Sequence, residues 1–586
     1  MIRIYLFGLI LILAQIVNAQ EWNWVLESFG KTNNGVLDIE KDNKDNTIVL
    51  LFYSQNTEDH GMYLCDSIFH QQSSQFGDNG RLLIKLDPNG KCLWSINLIG
   101  EGILGAEKIT IDSEDNILIP GYLNGGIEID GQTIGFPGKG IGTGVILKLN
   151  QNGKLLWHKE YHPFSPNGVA CRFISTDRYN NIYFDLATQD DSILIGNRMY
   201  YTKQDSIFYS SFIVKMNAEG IIQWVTPIGN SRKGSWVLAY NISITPTEQL
   251  IVSGIYSSEW MSIDGQRVYC SLPYNGNYGN ESFISTLDPV TGKVRWLISF
   301  GGTRDDQVWE VKSDSKGNLY ASIAFYSPKL AIGRDTIFHF GERNGGLRYN
   351  SALISFDSDG SFRWYRQFES MYSQGKFGGI AIDKIDNVWF NMQFATRMDW
   401  YGYTFKPIGV LDCAYLKFNS EGTLIDTFSL GGENNLMATG PIEVMNNGDL
   451  VIGSFFTGDS LTIGDDKVHC ESWDGSFKKK AYDSFIGRFT PRVGVGNNNP
   501  GPSHSKAISI HPNPARDLIQ ILFDEDLSVD DSVEILTTTG TLMKSINIGK
   551  GSTSTTIDVR DWPAGVYFVR YQDIEGRSSV SRVVVE

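Results

Sequence analysis

The sequence predicts an all-β protein: a seven-bladed β-propeller closed by its N-terminal strand, followed by a linker and a small Ig-like β-sandwich. Three observations carry that expectation. First, a strand, a glycine-bearing polar turn and a second strand with tryptophan recur at Trp94, Trp157, Trp224, Trp296 and Trp364, at intervals of about 63 to 72 residues. Self-similarity of this kind marks arrays of units that bury their faces against one another. Second, each such hairpin follows another, as in ITIDSEDNILIPGYL, so a unit reads strand A, short turn, strand B, long segment, strand C, short turn, strand D. Third, the last unit stops after strand C at SFIGRFTP, while EWNWVLESFG at the front is a strand with no unit of its own. Pairing these two would cover the open edges of the array.

Residues 1–19 read as a secretory signal peptide, with Arg3, an apolar run from Leu6 to Leu13, and small residues Val17 and Ala19 before the cleavage point. No later stretch has the roughly 18 apolar residues of a membrane-spanning helix. Residues 20–491 are expected to form the propeller. A large aromatic on strand D can fill the space between adjacent blades. The sixth hairpin, LKFNSEGTLID, has Asp426 in place of the ring, which predicts a looser or differently filled contact there. Antiparallel order puts the A–B and C–D turns on one rim, all short, and the long B–C segments on the other. Binding residues sit preferentially on variable loops held by a rigid scaffold, so the second rim is the expected binding face.

Residues 492–507, rich in Gly, Asn, Pro and Ser, read as a flexible linker. Beyond it, short alternating runs such as LIQILF, SVEILTTTG and GVYFVRY predict a small β-sandwich over residues 508–586.

Composition narrows the function. Hydrophobic residues make up 41% and charged residues 20% of 586, which is globular rather than disordered material. The net charge of −16 gives no field to attract phosphate backbones, which argues against nucleic acid as a partner. Six cysteines allow about fifteen full pairings, and sequence selects none of them.

The C-terminal residues carry a resemblance. Pro512-Asn513-Pro514, the Thr539-Gly540 turn, Pro563-Ala564-Gly565-Val566-Tyr567 and the valine-rich ending stand in the order of the type A C-terminal sorting domain of the type IX secretion system of Bacteroidota, which residues 508–586 resemble. The resemblance implies an Ig-like domain read by that export machinery, and a product that is secreted or attached to the outer-membrane surface after passing through the periplasm. More loosely, the repeats resemble bacterial secreted propeller repeats, best at Asp314-Ser315-Lys316-Gly317-Asn318-Leu319-Tyr320.

No catalytic residue, metal site or cofactor follows from the residues. Asp-rich turns such as Asp112-Ser113-Glu114-Asp115-Asn116 do not complete a calcium loop, and Asp and Asn favour tight turns by bonding their own backbone. Residues 355–364 have the look of a sialidase Asp-box, but Gly360 comes one residue late. His158 and His162 share a strand face, a spacing that reads as a solvated edge before a metal site. The remaining candidates are aromatics on the long-loop rim: Trp236, Trp260, Tyr274, Tyr278, Trp400, Tyr401 and Trp473. Exposed rings stack on sugars or anchor protein interfaces. The expected function is therefore a surface propeller that binds a protein or glycan. The alternative is a glycan-active enzyme with its site on the same rim, which clustered acidic side chains with a raised pKa would signal.

Overall fold

The computed structural model describes most of residues 21–491 and 508–585. Residues 1–20, 71–78, 271–278, 340–349, 370–378, 470–481 and 492–507, with shorter stretches between them, lie outside the described part, and so does the whole expected signal peptide. Among the described residues every named element is a β-strand. The chain divides into two compact units, Met1–Thr396 with Pro407–Gly494, and Arg397–Lys406 with Val495–Glu586.

The first unit repeats one antiparallel sheet. In the first sheet, strands Asn33–Lys41, Thr47–Ser54, Asn79–Leu86 and Cys92–Leu98 pair in chain order as A, B, C and D. The order recurs over residues 110–161, 174–230, 237–300, 306–369 and 380–430. A further sheet joins Ile442–Val444, Leu450–Thr457 and Asp483–Thr490, and its outer strand is Glu21–Glu27 from the front of the chain. That pairing sets Trp22 opposite Phe489, Val25 opposite Gly487 and Glu27 opposite Phe485.

Burial explains why these segments are strands. Leu250–Tyr256, Glu281–Leu287, Leu319–Phe325 and Asn350–Phe356 are buried at every residue, so strands B and C have protein on both faces. The apolar clusters lie between sheets. Leu50 and Leu83 of the first sheet pack with Ile119 and Val145 of the second. Val49 and Ile84, on the opposite face of the first sheet, pack with Val451 and Ile486 of the last.

The short turns lock neighbouring sheets together in two ways. In the A–B turns, one carboxylate oxygen of Asp42 accepts from the backbone N–H of Lys44 and Asn46, while the other accepts from the Asn46 amide and Lys85. Asp112 with Asn116 and Lys148, and Asp383 with Asn387 and Lys417, repeat the arrangement. Residue four of the turn has positive φ: Asp45, Asp115, Asn180 and Asp386. Glycine would suit that conformation, but these side chains reach the neighbouring turn. Asp115 accepts from Asn43 N, Asn180 from Ser113 N, Asp386 from Ser315 N, and Asp45 from Asn446 N of the last sheet.

In the C–D turns the tryptophans do the joining. The indole N–H of Trp94 donates to Gln151 O, Trp224 to Pro289 O, Trp296 to Ser358 O and Trp364 to Ser420 O, each in the next sheet's turn. A Cβ on Gly292, Gly360 or Gly422 would strike the preceding sheet's indole at 2.7 to 2.9 Å, and all three glycines have positive φ. Trp24 of the front strand makes the same contact with the first sheet, donating to Pro88 O over Gly90.

Asp426 now has an explanation. The last sheet takes strands C and D from opposite ends of the chain, so it has no C–D turn for a ring at position 426 to cover. Phe428, two residues on, fills the junction instead, 4.4 Å from Phe489, whose ring contacts Trp22.

The second unit contains a three-stranded sheet, Ile508–His511, Leu518–Phe523 and Ser554–Asp558, and a four-stranded one built from Leu542–Ile548, Asp531–Thr537, Gly565–Gln572 and Ser578–Val585. Ile519, Ile521, Val533, Ile535, Val569 and Val583 form their fully buried shared core. Hairpin Met398–Trp400 with Tyr403–Phe405 also groups with this unit.

Trp224→Ala should cost about 3 kcal/mol in urea unfolding, the low end for a large ring because the indole is only half-buried. A loss below about 1 kcal/mol would remove the turn contact as a source of cohesion.

Candidate functional site

The structure tests few of the aromatics singled out by sequence. Trp236, Tyr274, Tyr278, Tyr401 and Trp473 lie outside the described residues. The backbone of Trp400 pairs with Tyr403. Trp260 is a correction: it is 9% exposed, and the Arg267 guanidinium lies over its ring at 4.0 Å. Arg267 sits on the hairpin strand opposite, diagonally across from Trp260 on the same face, and a long side chain there covers the indole. The ring is no open stacking surface. Its cross-strand partner Tyr269 is 60% exposed.

A charged cluster that sequence reasoning passed over lies where strands A converge. Lys108, ahead of the second sheet, bonds Asp38 of the first at 3.0 Å and Glu310 of the fifth at 3.5 Å. Glu310 also accepts from Ile380 N of the sixth sheet, and Lys312 lies 3.9 Å from it. Glu443 of the last sheet pairs with Lys41 of the first at 2.9 Å. Glu40 lies within the electrostatic reach of Glu443 and Lys312. Side chains from four sheets, and a backbone N–H from the sixth, therefore meet at one place. They keep thin solvent contact, 28% for Lys108 and 15% for Glu310.

The cluster's electrostatics follow from burial and pairing. Burial and the Glu443 carboxylate push Glu40 up to about 8, against the pull of Lys312. Burial acts the same way on Glu310, but Lys108 and Lys312 outweigh it and hold that carboxyl below its usual value. Lys108 is raised: burial would lower it, and Asp38 and Glu310 overcome that. Three ammonium groups thus face four carboxyls, and the proton held by Glu40 at pH 7 brings the cluster to neutrality. At the short-turn end beside it is a polar cavity of about 270 Å³, lined by Glu40, Lys41, Asp112, Asp177 and Arg178 among others. The sequence signal was present. Charged residues stand two or four positions ahead of the A–B turn, at Asp38, Glu40, Lys108, Glu310, Lys312 and Glu443.

Other candidates are engaged. The Asp112 carboxylate is occupied by its own turn and by Lys148. Glu160 lies between His158 and His162, at 3.2 and 3.7 Å, and accepts from Gly135 N. Cys65 and Cys92 are disulfide-bonded with Cα atoms 5.8 Å apart, while Cys171, Cys270 and Cys413 are outside any disulfide, and the Cys270 thiol donates to Glu281 at 3.3 Å.

In the second unit, the Tyr567 hydroxyl donates to Pro563 O at 2.6 Å, and the Trp562 ring packs on Tyr567. Pro563, Ala564, Gly565 and Val566 thus form a tight approach to the strand Gly565–Gln572, anchored by a ring 6% exposed. Pro512, Asn513 and Pro514 lie outside the described residues.

An all-β chain of repeated sheets with a small terminal β-unit is the setting for the comparisons with known proteins. Residues 509–586 match the secretion system C-terminal sorting domain, and that tail indicates handling by the type IX machinery and a cell-surface or extracellular destination. An uncharacterized WD repeat-containing protein of Acanthamoeba polyphaga mimivirus is 23% identical over 194 residues, 30% of this chain and 14% of that protein's length. Among solved structures, a Synechocystis apocarotenoid oxygenase mutant aligns with TM-score 0.32 and 11% identity over 71% of this chain and 93% of its own. The extracellular domain of a putative one component system from B. thetaiotaomicron aligns with TM-score 0.17 and 9% identity over 94% and 97%. A DUF4221 family member from Bacteroides vulgatus gives 0.30 and 12% over 64% and 92%. No helix among the described residues is long and apolar enough to cross a membrane.

A carboxyl whose folded pKa is raised stabilises the fold fully below its unfolded pKa, and that stability is lost as pH rises through the folded value. For Glu40 the window runs from 4.5 to about 8. Glu40→Gln should therefore flatten the fall in melting temperature between pH 5 and 8.5. Parallel curves for variant and parent would show that Glu40 does not titrate there.

Proposed function

We propose that this chain is an exported, surface-associated seven-bladed β-propeller that binds a protein or glycan through the rim carrying its long B–C segments. In this reading residues 1–19 are a signal peptide, 20–491 the propeller, 492–507 a linker, and 508–586 the export signal. Closure into a ring is supported by the pairing of Glu21–Glu27 with Phe485–Thr490 and by Trp24 seated over Gly90 of the first sheet.

The observation that carries the binding reading is the state of the central charges. Lys108 is held between Asp38 and Glu310, Glu443 is paired with Lys41, and the cluster is neutral when Glu40 keeps its proton. Such a group acts as a bolt between sheets. Removing one partner would leave a partly buried charge uncompensated, at a cost below the roughly 3–5 kcal/mol of a fully buried pair. A glycan-active enzyme would need a raised carboxyl on the long-loop rim. Glu40 is raised but stands two residues ahead of a short A–B turn, at the opposite end of strand A. At the long-loop end burial pushes Asp306 up to about 7 and raises Asp412, but both are engaged by their own loops: Asp306 accepts from Gly302, Tyr326 and Ser327 N–H and the Ser327 hydroxyl, and Asp412 from Ile408 and Gly409 N–H.

Two experiments test the proposal. Deleting residues 508–586 should strand the protein in the periplasm of its host, and normal arrival at the surface would refute the export route. The purified full chain should bind on a glycan array or to cell-surface proteins without turnover of glycans in a parallel hydrolysis assay. Hydrolysis would transfer the case to the enzyme.

A further inference from the structure

The B–C excursions of the third, fourth and fifth sheets each carry a hairpin of one register. Ser192–Ile195 pairs with Arg198–Tyr201, Trp260–Ile263 with Gln266–Tyr269, and Lys329–Ile332 with Asp335–Phe338. Strand side chains alternate between faces. One face is turned inward in all three: Ile193 and Ile195, Met261 and Ile263, and Leu330 and Ile332 are buried. The last residue of each hairpin is on the other face, and in each it is an exposed aromatic: Tyr201 at 67%, Tyr269 at 60% and Phe338 at 59%. A single exposed ring needs no explanation. Three at the same register position in three consecutive repeats form a pattern. At that position the described hairpins of the second and last sheets carry Gly135 and His469.

We propose that Tyr201, Tyr269 and Phe338 are the stacking sites of an arc that holds an extended, uncharged polysaccharide across three neighbouring sheets. The inference rests on the rim-binding reading and names its ligand class. A protein partner is recognised by a clustered, desolvated centre of aromatic anchors. Here the three rings are spread over three hairpins: Tyr201 beside the exposed Leu194 and Met199, Tyr269 beside Trp260 under its Arg267 cover, and Phe338 beside Ala331 and Thr336. Packed sheets lie about 10 Å apart, close to the length of a disaccharide, so a repeated receptor meets a repeated ligand. Ring faces stack on the C–H faces of sugars, and the tyrosine hydroxyls add a polar edge. The Arg267 guanidinium is occupied by Trp260 and Lys329 lies 5.6 Å from Phe338, so the arc offers little free positive charge. The chain's net charge of −16 disfavours polyanions.

Affinity electrophoresis of the full-length protein in native gels containing hydroxyethyl cellulose, xylan, laminarin or mannan tests the arc. At least one polymer should retard it. Tyr201→Ala, Tyr269→Ala and Phe338→Ala should each weaken that retardation roughly two- to tenfold, and the triple variant should abolish it at an unchanged melting temperature. Tyr179→Ala, which removes a ring 63% exposed on a short A–B turn, should have no effect. Tyr269→Phe should retain binding. Retardation that survives the triple variant overturns the arc and leaves rim binding elsewhere intact. No retardation of the parent by any of the four polymers overturns the ligand class. If the parent also fails on the glycan array and on surface proteins, the rim-binding reading falls with it.

Discussion

The contact on which the first unit depends is an indole laid over a glycine turn. An isolated four-stranded sheet cannot bury both its faces, so its stability is borrowed from its neighbours. The tryptophan of strand D supplies apolar area, a directional bond to a turn carbonyl, and a demand that the turn residue beneath it lack a side chain. Gly292 meets that demand twice, once by its φ of +70° and once by the 2.7 Å at which a Cβ would meet Trp224. The A–B turns add a second latch, where one Asp or Asn side chain at positive φ caps the turn beside it. Both devices work between adjacent sheets, so cohesion is passed from one repeat to the next.

Much of this was legible in the sequence. The strand order, the tryptophans and the split of the final unit follow from periodicity and from turn residues whose conformational needs are local. The odd residue at 426 was visible too, but its cause was not. It lies in a missing turn that becomes evident only once Glu21–Glu27 is seen beside Asp483–Thr490. The charged cluster was harder to read. Asp38, Lys108 and Glu310 are about 70 and 200 residues apart, and nothing local in a strand says which distant strand it will face. Trp260 illustrates a different limit. Hydropathy and position placed it correctly on an excursion, but whether a ring is open depends on its cross-strand neighbours, and Arg267 closes it. The exposed position belongs to Tyr269, on the other strand of the same hairpin.

The centre and the periphery divide the work. Charges that converge from several sheets are costly to bury and so must be mutually satisfied, which makes the centre rigid and chemically quiet at neutral pH. The hairpins on the third, fourth and fifth B–C excursions bury one face and end the other in an exposed ring at Tyr201, Tyr269 and Phe338. The terminal unit has a separate logic: its buried Tyr567 anchors a short motif, and its sequence is the part that directs export.

All of this hangs on the two distant ends of the repeat segment lying side by side. Glu21 and Thr490 are cross-strand partners, and such Cα atoms are about 4.5–5.5 Å apart, within disulfide range. The most direct measurement is peptide mapping of a Glu21→Cys, Thr490→Cys variant after mild oxidation. The account predicts a quantitative intrachain link between those two positions. Free thiols at both, or links only between molecules, would contradict it.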